Sequence, residues 1–245
     1  MTTMSSCLAS LGRFSVRILL FATPLLLATS AYADTISIGL QEPGVNSGNI
    51  TTVGTGSGTL TLASTPYGSF TINQANVEDF AVLPVPGLLN SNALDISSST
   101  AGTLTIWITA QGLSFTGAQN FESAFAVNEL AGSVVSVAES TYFSPTNGLY
   151  DVGQTLLDAA VFGAIGIKGP KTDSALTSGT YSVTEKYVIF DIGSRQGNDN
   201  VTIDLSASPV PEPGSLLLVV SGLAFAGLLC YRRRNKRPRL LICSS

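Results

Sequence analysis

The 245-residue sequence contains no histidine and only three cysteines, Cys7, Cys230 and Cys243, all of them near its two ends. Without histidine, the chain cannot build the Ser–His or Cys–His pairs of hydrolases or an imidazole-based zinc site. Without cysteine between residues 8 and 229, the central region has no disulfide, thiol nucleophile or thiolate ligand. We therefore predict no catalytic, cofactor-binding or metal-binding residue, and a protein that is not an enzyme.

Positive charge is also scarce in the centre of the chain. Between Asp34 and Pro209 there are 15 Asp or Glu residues against 4 Lys or Arg residues, which leaves a net charge of −11. So acidic a region repels phosphate backbones, which excludes nucleic acid as a partner. The acidity has two interpretations, the solubility of a secreted domain or loose bridging by divalent cations, and we favour solubility.

Residues 1–33 have the pattern of a secretory signal peptide. Two arginines provide the positive start, an apolar stretch follows over residues 18–28, and the small residues of a cleavage site are Ala31 and Ala33. We predict cleavage before Asp34 and export of the region that follows.

Three segments of different chemistry end the chain. Val210-Pro211-Glu212-Pro213, within a linker of residues 209–214, is held extended by its prolines. Residues 215–231 are apolar and uncharged, and as a helix they span roughly 26 Å, which is enough for a single transmembrane helix. Residues 232–245 begin with a basic cluster that stays on the cytoplasmic side. Its cations are Arg232, Arg233, Arg234, Lys236, Arg237 and Arg239.

This order of segments, VPEPGSLLLVVSGLAFAGLLCYRRR, resembles the PEP-CTERM sorting signal, which is also catalogued as the ice-binding protein C-terminal domain. The resemblance covers about residues 209–239. It implies recognition and cleavage near residues 210–213 by a membrane-embedded exosortase, in a Gram-negative bacterium with an exopolysaccharide or biofilm system. Together with the signal peptide, it implies an exported protein that spans the inner membrane once before processing and then reaches the cell surface or the extracellular space.

The central region, residues 34–208, alternates polar and apolar residues with a period of two. This alternation is typical of strands with one buried side and one solvent-facing side. We predict an all-β domain, an antiparallel β-sandwich of about ten strands, of which a jelly roll is one form. Residues 151–160 are the only stretch with a weak helical pattern. The strand candidates are 35–38, 58–62, 69–72, 103–109, 121–127, 133–137, 159–167, 181–192 and 201–205.

Three short motifs resemble functional loops but fit simpler structures better. Residues 54–58 lack the spacing and the lysine of a nucleotide-binding loop, so we predict a turn. Residues 197–200 lack the carboxylates of a calcium loop, and we predict a hairpin turn there. Glu78 and Asp79 precede a proline-rich loop at residues 80–89. They could serve a glycosidase only if two acids faced each other across a cleft.

Trp107 is the only tryptophan and lies in the most regular strand candidate. We predict that it packs in or beside the core. The alternative is a sugar-stacking platform, which needs an outward-facing ring. Trp107 is out of phase with Leu104 and Ile106, so the alternation leaves that alternative open.

The sequence supports hypotheses of different classes. The first is a structural or adhesive protein of the cell surface or extracellular matrix, with the membrane, an exosortase and an extracellular polysaccharide as partners. The second is a secreted glycan-binding module, which exposed coplanar aromatic rings would favour. Ice binding and carboxylate-dependent hydrolysis are weaker alternatives. Only two Thr-x-Thr pairs lie in strong strands, Thr59/Thr61 and Thr103/Thr105, and no pair of acids is distinguished.

Replacing Pro211, Glu212 and Pro213 by alanine should leave export intact and trap a full-length, membrane-bound chain. The signal peptide and residues 215–231 act through hydrophobicity, which the change does not affect. Alanine removes the extended shape and the charge that are offered to the processing enzyme. Fractionation and mass measurement in hosts with and without their exosortase test this. Neutral residues at 232–234 should instead loosen cytoplasmic retention, and efficient release of the alanine variant would refute the sorting hypothesis.

Overall fold

The computed structural model describes residues 35–79, 87–193, 197–210, 221–228 and 231. Within residues 35–210 it contains ten β-strands, and all their pairings are antiparallel, which confirms the predicted all-β class. The strands are β1 Thr35–Gln41, β2 Thr51–Gly56, β3 Thr59–Tyr67, β4 Phe70–Glu78, β5 Gly87–Ser98, β6 Gly102–Ala131, β7 Val134–Ser144, β8 Thr155–Phe162, β9 Gly166–Asp191 and β10 Gly197–Pro209.

Strands β6 and β9 are the longest, with 30 and 26 residues, and they pair with each other along most of their length. The other edge of β6 is shared, because β1 pairs with its first part and β10 with its second part. Each long strand therefore contributes to two sheets. Sheet I has the order β2-β1-β6-β9-β7-β8, and sheet II has the order β3-β4-β5-β10-β6-β9.

The β6–β9 ribbon folds back on itself between the two sheets. A straight strand of this length would extend roughly 100 Å at about 3.3 Å per residue. Instead, β7 starts only three residues after the end of β6, and its first residue, Val134, pairs with Asp191. Asp191 also pairs with Gly102 at the start of β6, so the two ends of β6 are close together. Gly112 (φ 79°) and Gly117 (φ 128°) flank the bend in backbone conformations that favour glycine.

The inner faces of the two sheets share one apolar core, in agreement with the predicted sandwich. Ile106 in sheet I and Ile72 and Val201 in sheet II are among its fully buried members. The rings of Phe121 in sheet II and Phe143 in sheet I lie 5.3 Å apart between centroids. The period-two alternation seen in the sequence therefore produces a buried side on each sheet. The jelly-roll connectivity stays a prediction.

Both ends of the described domain lie at the bend of the ribbon. Thr35 pairs with Gln111, and the N–H of Val210 donates to the carbonyl oxygen of Ala118 at 3.0 Å. We call this the proximal end of the sandwich. At the opposite, distal end, the N–H of Ile192 donates to the carbonyl oxygen of Ser133.

Two predictions of local structure are wrong. Residues 151–160 are not helical, because β8 begins at Thr155 and pairing with β7 outweighs local propensity. Residues 197–200 are not a turn but the first part of β10, with Gly197 paired to Ser98. A Cβ at Gly197 would overlap the Asp191 carboxylate, so this glycine permits close packing rather than a turn.

Other boundaries differ from the sequence prediction. Most of residues 54–58 belongs to β2, and only Ser57 and Gly58 form the turn. The candidate over 159–167 is divided by a bend at residues 163–165, so that it contains the end of β8 and the start of β9. Strand β5 begins at Gly87, inside the loop predicted for residues 80–89; residues 80–86 lie outside the described part.

The substitution Gly39→Ala should destabilise the domain by about 1–3 kcal/mol, the usual cost of overfilling a packed site. A Cβ on Gly39 would lie 2.7 Å from both the Ile50 side chain and the Tyr150 ring. Gly169→Ala is the matched control, because a Cβ there has no atom within 4 Å, and it should change stability by less than about 1 kcal/mol. Urea unfolding followed by circular dichroism compares them; equal midpoints would contradict the packing described for Gly39.

Candidate functional site

The predicted sorting segment begins where the sandwich ends. β10 ends at Pro209, and Val210 is half-buried against β6. Pro211, Glu212 and Pro213 lie outside the described residues, as do the basic cluster at 232–239 and the cleavage residues Ala31 and Ala33.

Residues 221–228 are helical and exposed. No helix in the described part of the chain combines the length and apolar character that crossing a membrane requires. The transmembrane helix over residues 215–231 stays a prediction.

The outer face of sheet II carries hydrogen-bonding side chains along five adjacent strands. On β4, β5, β10, β6 and β9, buried residues that face the core alternate with Asn, Ser, Thr, Asp and Glu that face outward. We call this surface the polar face and define it by eight side chains, Asn73, Asp95, Ser97, Asn120, Asn128, Ser174, Asn200 and Thr202.

These side chains are held in place by hydrogen bonds between strands. The Asn73 amide donates to Asp95 at 3.1 Å and accepts from the Ser97 hydroxyl at 3.1 Å. The Asn128 amide donates to the Asn200 side-chain oxygen at 3.1 Å. Such bonds restrict the rotamers and leave further donors and acceptors directed at solvent. The arrangement can therefore offer preorganised hydrogen bonds to a flat polar ligand.

The charge of this face is negative. Asp204 and Glu122 lie on it beside the polar side chains, and burial raises the pKa of Asp204, with a further increase from Glu122. Lys168 and Lys171 form ion pairs with Asp158 near β8, away from this face. Among the described residues, the polar face thus has carboxylates and neutral groups but no cation.

Trp107 lies on the outer face of sheet I and is only 7% exposed. The segment of residues 145–154 covers this face, with the Tyr150 hydroxyl donating to Thr52 at 3.1 Å and the Tyr150 N–H donating to Thr109 at 3.2 Å. The Lys186 ammonium lies 4.6 Å from the Trp107 ring centroid. The prediction that Trp107 packs beside the core is therefore correct in position, and its ring is not available for stacking on a sugar.

Several carboxyl groups are buried in the sandwich, and for three of them burial raises the pKa. Glu139, Glu185 and Asp199 are at most 1% exposed. Burial raises the pKa of Glu139 to about 9, with a smaller contribution from Asp199. Burial also raises the pKa of Glu185 and of Asp199, and the hydrogen bond from Ser91 only partly offsets the rise at Glu185. Glu139 is therefore protonated in the folded protein at neutral pH, and burial disfavours the charged form of Glu185 and Asp199 as well.

The arrangement of acids does not resemble a hydrolase cleft. The buried carboxyl groups have no solvent-facing surface through which a substrate could reach them. Glu78 lies at the outer side of β4, whereas the neighbouring Asp79 is buried and its N–H donates to the Gly58 carbonyl oxygen at 2.8 Å. In the described ranges, no three acidic or cysteine side chains come together as a metal site would require.

The sequence prediction missed both the buried acids and the polar face. A signal for the acids was present, because Glu185 is in phase with Val183 and Tyr187, and Glu139 is in phase with Val137. The polar face depends on which strands become neighbours, and β5 and β10 are far apart in the sequence. Alternation within one strand contains no information on that pairing.

Comparison with protein families finds the PEP-CTERM protein-sorting motif at residues 209–234. This confirms the resemblance drawn from the Pro-Glu-Pro segment, the apolar segment and the arginines. The motif implies an exported protein that is anchored in the membrane before an exosortase processes it. Comparison with curated proteins finds no match.

Several solved structures are similar over much of the sandwich. TmCBM61, solved in complex with β-1,4-galactotriose, is 7% identical and covers 71% of this chain and 88% of its own, with a TM-score of 0.28. The adhesin domain of Epf from Streptococcus pyogenes is 9% identical, covering 66% and 61% of the respective chains, with a TM-score of 0.32. The C-terminal CBM6 of LamC from Zobellia galactanivorans is 15% identical, covering 60% and 98%, with a TM-score of 0.22. At TM-scores this low, the similarities assign no ligand to this chain.

The stability of the domain should fall as the pH rises from about 5 to about 8, because the raised pKa values mean that unfolding releases protons. The stabilisation from a protonated Glu139 is complete below its unfolded pKa of 4.5 and is lost as the pH rises towards 9. Glu139→Gln should therefore reduce this loss, by up to about 1.4 kcal/mol per pH unit for one group. Glu122→Gln removes an exposed carboxylate and is the control. The free energy of unfolding is measured with urea at several pH values in this range. The prediction is wrong if Glu139→Gln loses stability with rising pH as much as the parent and Glu122→Gln do.

Proposed function

We propose that this exported, exosortase-processed chain is an adhesive protein of the cell surface or extracellular matrix, and that its polar face binds a neutral extracellular polysaccharide. The observation that carries this proposal is the hydrogen-bonded array of Asn, Ser and Thr side chains across sheet II. Planar amides and hydroxyl groups are suitable donors and acceptors for the hydroxyl groups of sugars.

The charge of the face supports a neutral ligand rather than an anionic one. Asp95, Glu122 and Asp204 lie among the polar side chains, and the described lysines are elsewhere. An anionic polysaccharide would meet like charge there, and no cation among the described residues of this face compensates it. Carboxylates can instead accept hydrogen bonds from the hydroxyl groups of an uncharged chain.

The position of the termini supports an adhesive role. Thr35 and Val210 both lie at the proximal end, so the sorting segment leaves the sandwich away from the distal end. The polar face extends between the two ends on the side of the sandwich. A polysaccharide lying along this side would therefore not have to pass between the domain and the membrane before processing.

The other hypotheses have less support. Ice binding needs a regular, flat threonine array, but Thr59 and Thr61 lie on β3 in sheet II, and Thr103 and Thr105 lie on β6 in sheet I. A hydrolase needs carboxyl groups that a substrate can reach, whereas Glu139 and Glu185, whose pKa values burial raises, are enclosed in the core. We therefore propose no catalytic role.

Binding of the exported chain to insoluble neutral and anionic polysaccharides tests the proposal. We expect retention on a neutral polysaccharide and weaker retention on an anionic one. Asn73→Ala and Asn128→Ala should each weaken binding roughly 2- to 12-fold, which corresponds to about 0.5–1.5 kcal/mol for a hydrogen bond.

Asn49→Ala is the matched control, because Asn49 is exposed on a loop outside the polar face and should not affect binding. Equal loss in all three variants, or no retention of the parent on any neutral polysaccharide, would contradict the proposal.

A further inference from the structure

The distal end of the sandwich carries a second exposed surface of different chemistry. Six apolar side chains there are between 39% and 81% exposed. They lie on β7, on the β8–β9 hairpin and at the end of β9. We call this surface the distal patch, and its members are Val135, Val161, Ile165, Ile167, Phe190 and Ile192.

Strand pairing brings several members of the distal patch close together. Val161 of β8 and Phe190 of β9 flank β7 on its two sides. Val161 is paired with Ala138, and Phe190 is paired with Ser136, two residues before Ala138 in β7. A Cβ on Gly163, at the tip of the hairpin, would lie 3.9 Å from the Val135 carbonyl oxygen. The patch therefore follows the distal rim from the outer face of sheet I over the β8–β9 hairpin to Ile167, which is paired with Ala126 on the outer face of sheet II.

We propose that the distal patch is a self-association surface, at which the distal ends of two copies of this chain pack against each other. Burying an aliphatic side chain removes on the order of 60–120 Å² of apolar surface from water. Six such side chains supply on the order of several hundred Å², which is a large share of the roughly 800 Å² that each partner buries in a stable interface. Exposed apolar patches of this size mark interaction sites.

Charge favours this end for contact between identical chains. The exported region has a net charge of −11, so two copies repel each other across most of their surfaces. The six members of the distal patch are all uncharged. Two acidic copies can therefore pack these side chains together without pairing like charges among them.

The contact is a packing of side chains rather than an added strand. Two carbonyl oxygens of β8 already accept hydrogen bonds from lysines, Ala159 from Lys168 at 2.6 Å and Leu157 from Lys171 at 3.0 Å. These ammonium groups block the backbone of β8 from pairing with another strand. The apolar side chains of the hairpin are left to make the contact.

The geometry determines which copies can meet. The sorting segment leaves from the proximal end, so the distal patch is turned away from the anchored end of each copy. Two copies joined at their distal ends therefore have their anchored ends far apart. This arrangement links chains on opposing surfaces, and it does not require polysaccharide binding by the polar face.

Cysteine cross-linking of the full chain in cells tests the contact, because the exported region has no native cysteine. Val161→Cys, Ile165→Cys and Ile167→Cys are made singly, and Thr61→Cys on the exposed outer side of β3 is the matched control. Under mild oxidation, at least one patch variant should give several-fold more disulfide-linked dimer than Thr61→Cys or the parent. Adding Val135→Asp should return the dimer to the parental level, whereas adding Thr59→Asp should not.

The proposal is overturned if no patch variant exceeds Thr61→Cys, or if the patch cysteines are captured by a different protein. It is also overturned if Thr59→Asp reduces the dimer as much as Val135→Asp. Polysaccharide retention of the same variants separates the two proposals, because Val135→Asp should leave retention unchanged and Asn128→Ala should leave cross-linking unchanged.

Discussion

The antiparallel pairing of β6 with β9 is the interaction on which the rest of the structure depends. This ribbon supplies strands to both sheets, and its fold at Gly112–Gly117 brings their apolar sides together. β1 and β10 then attach to consecutive parts of one edge of β6. Because β1 and β10 are the first and last strands, the same bend places both chain ends together. The position of Val210, after which the sorting segment continues, is thus a consequence of the ribbon.

The core contains buried polar groups as well as apolar side chains. Glu185 bonds to Ser91, which also contacts Tyr187, and Glu139 lies in the same layer. Burial raises the pKa of both carboxyl groups and so favours their neutral form, because a buried charge is costly. The core is consequently held by burial and by hydrogen bonds between the sheets, and its stability is coupled to pH.

The surface is divided into regions of different chemistry. The polar face of sheet II is fixed by hydrogen bonds between strands, the outer face of sheet I is covered by residues 145–154, and the distal rim is apolar. This division is compatible with the proposed roles, in which the protein is attached at the proximal end, binds a polysaccharide along the polar face and self-associates at the distal patch. The polar face and the distal patch have no residue in common.

The sequence by itself determined the features that depend on local order. The tail is recognisable because a Pro-Glu-Pro segment, an apolar segment and a basic cluster follow one another, and no tertiary contact is needed to see this. Alternation over residues 103–109 and 201–205 likewise indicated strands with one buried side, since the period of a strand is local. Only the tertiary structure decided whether residues 197–200 form a turn or a strand. That choice depends on Ser98, which is distant in the sequence and pairs with Gly197, and on the Asp191 carboxylate, which packs against Gly197. The tertiary structure also decided the exposure of Trp107, which is buried on the face that residues 145–154 cover. It likewise decided the polar face and the distal patch, whose members become neighbours only when distant strands pair.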